Sequence, residues 1–387
     1  MAQKGIFIRG ARVLDPSSGM DGTADVRIDG DRITAVGHGL SADGCTVLEA
    51  TGLCCAPGLV DMHIHGYLGA DASDGAFEGL KTMAEGVAKN GVTAFLPTTM
   101  TVSYPELRAA FEQIRLCRRE SEKDTWRGAQ VMGANAEGPF INASQKGAQA
   151  AEHVKKGDPA FLKEFADVIR VFTIAPEVEG NLDCIREIAR DTDLLISMGH
   201  TAANFDQACA GVEAGVRHVT HLFNAQTGLN HRDPGVAGAG LIDPRVSCEL
   251  IADTFHIHPA LFSLVARMKG DKMVLITDCT RAGRLADGEY TLGGQPIFVR
   301  GIECRLADGT IAGSVLKMNE AIRNMRAHTS LSLNEIVNMA SLNPAKRIGI
   351  ADRKGSIEPG KDADFAFADE NMNITRTILR GRTIFQA

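Results

Sequence analysis

The stretch PGLVDMHIHG, Pro57 to Gly66, ends a run of strand-forming residues in two histidines one residue apart. Alternate side chains of a strand share a face, so His63 and His65 project together. Two imidazoles side by side suit a divalent metal, and they equally suit a polar strand end. The rest of the chain decides between these. Glu137 in NAEGPF, His200 in SMGHT, His221 in THLFNA, His256 in IADTFHIH and Asp278 in ITDCT fall at or near the ends of further strand-like runs. Each has an ordinary explanation when taken alone. A strand-end histidine is more often hydrogen-bonded than ligating, Glu137 could cap a turn, and Asp favours helix N-caps. Converging on one rim, they are harder to explain without a cation, because buried charge there is costly without a partner.

Imidazole and carboxylate ligands fit zinc, iron or manganese, with zinc the plainest choice. No cysteine cluster points to a closed structural zinc site. An open coordination position acidifies a water, and Asp278 is the natural carrier of its proton. This pattern predicts metal-assisted hydrolysis.

Those residues need elements that bring them together. Eight strand-like runs, GLVDMHIH, VTAFLPTT, AQVMGANAE, IRVFTIAPE, LLISMGH, RHVTHLFNA, SCELIAD and MVLITD, are mostly separated by helical patterns such as FEGLKTMAEGVAKNG and NLDCIREIARD. This alternation predicts an α/β fold with a parallel sheet, and eight units match a (β/α)8 barrel whose active site lies at the strand C-termini. An open doubly wound sheet is the alternative, but its first strand usually leads into a glycine-rich loop rather than histidines. Residues 1–56 and 355–387 read as short strands with turns, so both chain ends are expected to form one small β domain, a sandwich around the 57–354 barrel. LGGQPIFVRGIECRLADGTIAGS, after the eighth run, reads as an inserted hairpin. VLKMNEAIRNMRAHT and SLNEIVNMASLNPAKRIG read as two helices leading back to the β domain.

The net charge of −7 and the lack of a basic run argue against nucleic acid. No apolar stretch approaches the ~20 residues of a membrane span. The N-terminal residues lack the apolar core of a signal peptide, so the cytoplasm is expected. Nine cysteines without a CxxC fit reduced, mostly buried thiols, and none is assigned to chemistry.

PGLVDMHIHG, AEGPF, GHT, THLFNA, ITD, IAGS, NPAKRIG and GSIEPGKDADF follow one another across nearly the whole chain. In this order they resemble the N-acetylglucosamine-6-phosphate deacetylases of the amidohydrolase superfamily. HxH and a late aspartate are shared across that superfamily, whereas EGPF and HLFNA are more specific to the deacetylases. The resemblance implies a metal-bearing barrel with a β-sandwich built from both ends. It implies Glu137, His200 and His221 as ligands of the main metal, His63 and His65 at a second metal position, and Asp278 as the catalytic acid/base. One or two ions per subunit follow from this set. It further implies substrate contacts at Asn224, Ala225, Arg232 and His256, the last two on the sugar phosphate, with backbone contacts at Ala148, Ile311, Ala312 and Gly313. Arg232 is often supplied across a dimer in the family, so a homodimer is expected.

The chain departs from the pattern in three places. Gln149 stands where histidine is usual and becomes a substrate-contact candidate in its place. Thr254 replaces a glycine beside the phosphate pocket, and Cys279 and Thr280 follow Asp278. The expected activity is deacetylation of N-acetylglucosamine 6-phosphate. The alternatives are N-acetylgalactosamine 6-phosphate or another N-acylated compound on the same scaffold, and a non-catalytic sugar-phosphate binder.

Overall fold

Strand and helix alternate through the middle of the chain, and the computed structural model, which describes residues 5–387, closes them into a barrel. Its eight strands are Leu59–Ile64, Val92–Thr99, Ala134–Ala136, Ile169–Ile174, Leu195–Met198, His218–Val219, Ser247–Ile251 and Met273–Ile276. Neighbours pair in parallel from first to eighth. The seam between eighth and first is closed just past the last strand, where Asp278 N–H donates to His63 O at 2.9 Å and His65 N–H to Cys279 O at 2.9 Å. Asp61, buried at the same seam, accepts from Thr277 Oγ1 at 2.6 Å. Two of the candidate ligands and the candidate proton carrier therefore sit on directly bonded backbone.

The third run is interrupted. Gln130–Val131 pairs with the second strand, and the chain then turns at Gly133, φ +139°, before Ala134–Ala136. A side chain there would strike Val168 O at 2.5 Å, so glycine is required. The barrel strands are buried, as expected where helices cover a parallel sheet. The helix Tyr104–Ser121 starts on a capping box between Ser103 and Glu106. SLNEIVNMASLNPAKRIG, read as one helix, forms two, Leu333–Met339 and Leu342–Arg347. Pro344 accounts for the break: proline fits a first helical turn but removes a hydrogen bond from a helix interior. The inserted hairpin is a three-stranded antiparallel sheet, Gly288–Leu292, Gln295–Arg300 and Glu303–Leu306.

The chain ends share one eight-stranded sheet. Cys54–Pro57 pairs antiparallel with Phe365–Ala368, which joins the first strands of the chain to the last. The sheet encloses its own core of Ile8, Val13, Val26, Ile28, Phe365, Phe367 and Ile378. The barrel with a sandwich from both ends is thus the architecture observed. Among the described residues, no helix is long and apolar enough to cross a membrane.

Candidate active site

The C-terminal mouth of the barrel gathers side chains from five strands. His63 and His65 leave the first strand, Glu137 follows the third, His200 the fifth, His221 the sixth and Asp278 the eighth. His200, His221 and Asp278 have φ of +46°, +30° and +51°. Non-glycine residues rarely adopt such angles, and clusters of them mark functional sites. All six residues are buried.

Glu137 is the centre. Its Oε1 lies 2.7 Å from His221 Nε2, 3.2 Å from His200 Nε2 and 3.4 Å from His63 Nε2. Its Oε2 lies 3.1 Å from His65 Nε2 and accepts from Gln149 Nε2 at 2.6 Å. Asp278 Oδ1 lies 3.1 Å from His65 Nε2 and 3.5 Å from His63 Nε2. Two groups could each hold an ion, His63–His65–Glu137 and Glu137–His200–His221, and they share the glutamate.

The donor set fits a divalent cation. His200 Nε2 and His221 Nε2 face each other at 3.2 Å, and His63 Nε2 and Asp278 Oδ1 are buried without a hydrogen-bond partner. Two carboxylates in so dry a place demand positive charge, as protons on the imidazoles or as a cation. Without a cation, burial would raise the pKa of Glu137, but His63 and His200 outweigh it and hold the group well below the usual carboxylate range. Burial likewise opposes the charged form of His65, yet its contacts with Asp278 and Glu137 lift its pKa to about 10.

Behind the rim, further groups fix the rings. His65 Nδ1 lies 3.1 Å from Thr98 O, and His200 Nδ1 2.9 Å from Gln145 O. His63 Nδ1 lies 2.9 Å from Glu249 Oε2, and Glu249 Oε1 lies 3.2 Å from His218 Nε2. Glu249 and His218 belong to no motif. The one signal in the sequence is a glutamate inside an otherwise apolar run, SCELIAD, where a barrel strand buries both faces.

The rim opens into a cavity of about 380 Å³. Ala148, Gln149, Asn224 and Ala225 line it, as do His256, Ile311 and Gly313. Ala312 is buried outside the lining, with its N–H donating to Cys304 O at 3.0 Å. Arg232 is exposed and stands apart from the cavity of its own chain. Gln149 is locked at both ends, because its Oε1 accepts from Thr101 N–H at 2.6 Å while its amide nitrogen serves Glu137. Thr254 has φ +67°, a conformation open to glycine and costly for threonine. It lines a neighbouring cavity with Lys317 and Arg323, not the one bounded by His256. His256 is held by Asp253, whose Oδ2 lies 2.6 Å from its Nδ1.

The model of the Amidohydrolase family matches residues 55–384. The chain belongs to the amidohydrolase family. This amidohydrolase is 40% identical over 334 residues to an N-acetylglucosamine-6-phosphate deacetylase of Bacillus subtilis, covering 85% of this chain and 84% of the relative. It is 37% identical over 342 residues to an N-acetylgalactosamine-6-phosphate deacetylase of Escherichia coli O157:H7, covering 87% and 89%. Its fold matches, at TM-score 0.90 and 28% identity, the solved N-acetyl-D-glucosamine-6-phosphate deacetylase of Mycobacterium smegmatis, a mutant in complex with N-acetyl-D-glucosamine-6-phosphate. That match covers 99% of this amidohydrolase and 100% of the other chain.

Proposed function

We propose that this amidohydrolase hydrolyses the acetamide of N-acetylglucosamine 6-phosphate, releasing acetate and glucosamine 6-phosphate. One observation carries the reading: Glu137 is shared by two imidazole pairs, with Asp278 Oδ1 3.1 Å from His65 Nε2 beside them. The likeness to deacetylases over most of the chain supports the substrate class.

Glu137, His200 and His221 would hold one divalent ion, and His63 and His65, with Glu137, a second. Zinc suits these nitrogen and carboxylate donors best. When bound, the metal supplies Lewis acidity, which acidifies water and polarises a carbonyl. Asp278 is the proton carrier. Its carboxylate is buried at the cavity wall with Oδ1 beside His65 Nε2, so it can take the proton released as water adds to the acetyl carbon. It returns that proton to the nitrogen as the C–N bond breaks, because an amine leaves poorly as its anion. Asn224 and the backbone around Ala148 and Gly313 bound the space for the sugar, with His256 on the phosphate side. Arg232 reaches the phosphate from the partner of a homodimer, which accords with its exposure in one chain and with exposed Leu229 three residues before it. A guanidinium matches a phosphate in shape and charge. Nine free thiols suit a reducing cytoplasm.

The test is acetate release from zinc-loaded protein, with N-acetylglucosamine 6-phosphate and N-acetylgalactosamine 6-phosphate compared side by side. A higher kcat/KM for the first is expected. Tight binding with no acetate released from either would end the reading.

A further inference from the structure

His221 differs from the other candidate ligands in how it is held. The outer nitrogens of His65 and His200 meet backbone carbonyls, and that of His63 meets Glu249, but His221 Nδ1 is buried with no hydrogen-bond partner. Nothing orients the His221 ring from behind. Its backbone is gripped instead: at φ +30°, its N–H donates to Glu249 Oε2 at 2.9 Å. The same oxygen faces His63 Nδ1 at 2.9 Å. A carboxylate accepts and does not donate, so it holds a proton on His63 Nδ1 and leaves Nε2 as the atom that would ligate an ion beside Glu137. The other oxygen, Oε1, faces His218 Nε2 at 3.2 Å, and His218 Nδ1 lies 2.5 Å from Ser247 Oγ. Glu249 is fully buried, and both its oxygens are engaged.

We infer that Glu249 is a positioning residue that couples the two ion positions, setting the His63 ring for one and the His221 backbone for the other. It touches neither the cavity nor the reacting atoms. A buried glutamate serving only to pair with His218 would need neither His63 nor the His221 amide on the same oxygen. Partners behind a metal-bound histidine typically matter by 10- to 100-fold in metal affinity.

The inference rests on the two-ion reading above. Stepwise zinc titration of metal-free protein against a competing chelator tests it, in wild type and in Glu249→Gln. The expected result is two ions in wild type. In the variant the weaker step should be 10- to 100-fold weaker still, and the tighter step weakened to a lesser degree. A structural role alone would lower the Tm of the metal-free chain and leave both constants in place, and that result overturns the inference. Should Glu249→Gln fail to fold, the zinc-loaded wild type answers by proton–nitrogen correlation of labelled histidines, with His63 assigned by difference from His63→Asn. A proton on His63 Nδ1 in the two-ion protein supports the inference; ligation through Nδ1 overturns it. Wild type that binds no zinc, or only one ion, fails the two-ion reading itself. Two ions with constants unmoved in the variant fail only the role of Glu249.

Discussion

Glu137 spans the site, with Oε1 2.7 Å from His221 Nε2 and Oε2 3.1 Å from His65 Nε2. One carboxylate therefore serves both imidazole pairs, and no other residue of the rim does so. Glu137→Gln should lose metal at both positions together rather than one at a time. Metal chemistry is worth several kcal/mol in the transition state, and each ~1.4 kcal/mol is tenfold, so kcat/KM should fall about 10³-fold. Metal analysis beside steady-state kinetics checks this. A variant that keeps two ions and most of its turnover would show that the two positions are independent of Glu137.

Asp278 sits at φ +51°, which asparagine tolerates at least as well as aspartate, so Asp278→Asn preserves the backbone. The exchange removes the carboxylate proposed to carry the proton and keeps an oxygen in place. Turnover should drop by about 10²- to 10⁴-fold, the usual worth of general acid–base catalysis, while metal content stays within a third of wild type. Substrate binding persists, so equilibrium binding of the sugar phosphate to the inactive variant is expected. Near-normal kcat would mean that another group moves the proton.

Much of this site was legible because barrel strands end on one face. His63, His65, Glu137, His200, His221 and Asp278 each follow an apolar run, and parallel pairing carries those run ends to a common rim. The supporting residues were not legible. Glu249 lies within a run, and only the closed barrel brings it under His63 and His221, two residues far apart in sequence. Pro344 could have warned of the split in the helix before it, since a single helix would have buried proline in its interior. Gly133 breaks the third strand for a reason no local pattern carries, the approach of the Val168 carbonyl just ahead of the next strand. Thr254, at φ +67°, lines the cavity shared with Lys317 and Arg323 rather than the one bounded by His256, a placement its position in the sequence does not reveal.

Gln149 replaces a residue that the family pattern assigns to the substrate, and here it ties Thr101 N–H to Glu137 Oε2 with two 2.6 Å bonds. Gln149→Ala leaves the buried Thr101 N–H without its acceptor. An unsatisfied buried donor costs about 1–3 kcal/mol, and stability in urea should fall by that amount. The candidate metal ligands stay in place, so the loss in kcat should be smaller than for Asp278→Asn. Unchanged stability would mean that water replaces the amide without cost.

Arg232 has only its backbone N–H engaged, on Asn230 Oδ1 at 3.0 Å, and its side chain is exposed in the single chain. If it serves a partner's cavity, Arg232→Ala should raise KM for the phosphorylated sugar and spare kcat. A hydrogen bond to a charged group is worth about 1.5–3 kcal/mol, or about 10- to 100-fold. Activity on unphosphorylated N-acetylglucosamine, which offers no phosphate to the guanidinium, should not change. Mixed dimers of Arg232→Ala with Asp278→Asn regain one intact site, so below KM about a quarter of wild-type activity should return on mixing two preparations that each keep about a tenth of it or less. No recovery, with dimers present, would place Arg232 in the cavity of its own chain or outside the reaction.

Lys354 ties the tail of the barrel to the end sheet. Its Nζ, buried, lies 2.6 Å from Asp364 Oδ2 and 3.2 Å from Asp362 Oδ2. Asp362 keeps Arg32 at 2.7 Å and Arg353 at 3.0 Å if the lysine is lost. Asp364 keeps only the Arg380 N–H, at 2.8 Å on its other oxygen. Lys354→Met fills the space but leaves the Asp364 carboxylate without a cation. Breaking a buried pair by removing one partner costs 3–5 kcal/mol, and the partners retained by Asp362 put this case near the lower end, about 3 kcal/mol. Removing the carboxylate together with the lysine, as Lys354→Met with Asp364→Asn, should recover a good part of that loss, because no unpaired charge remains. Urea denaturation of the two variants measures the difference. Equal stabilities would show that the cost of Lys354→Met is lost packing and owes nothing to the stranded charge.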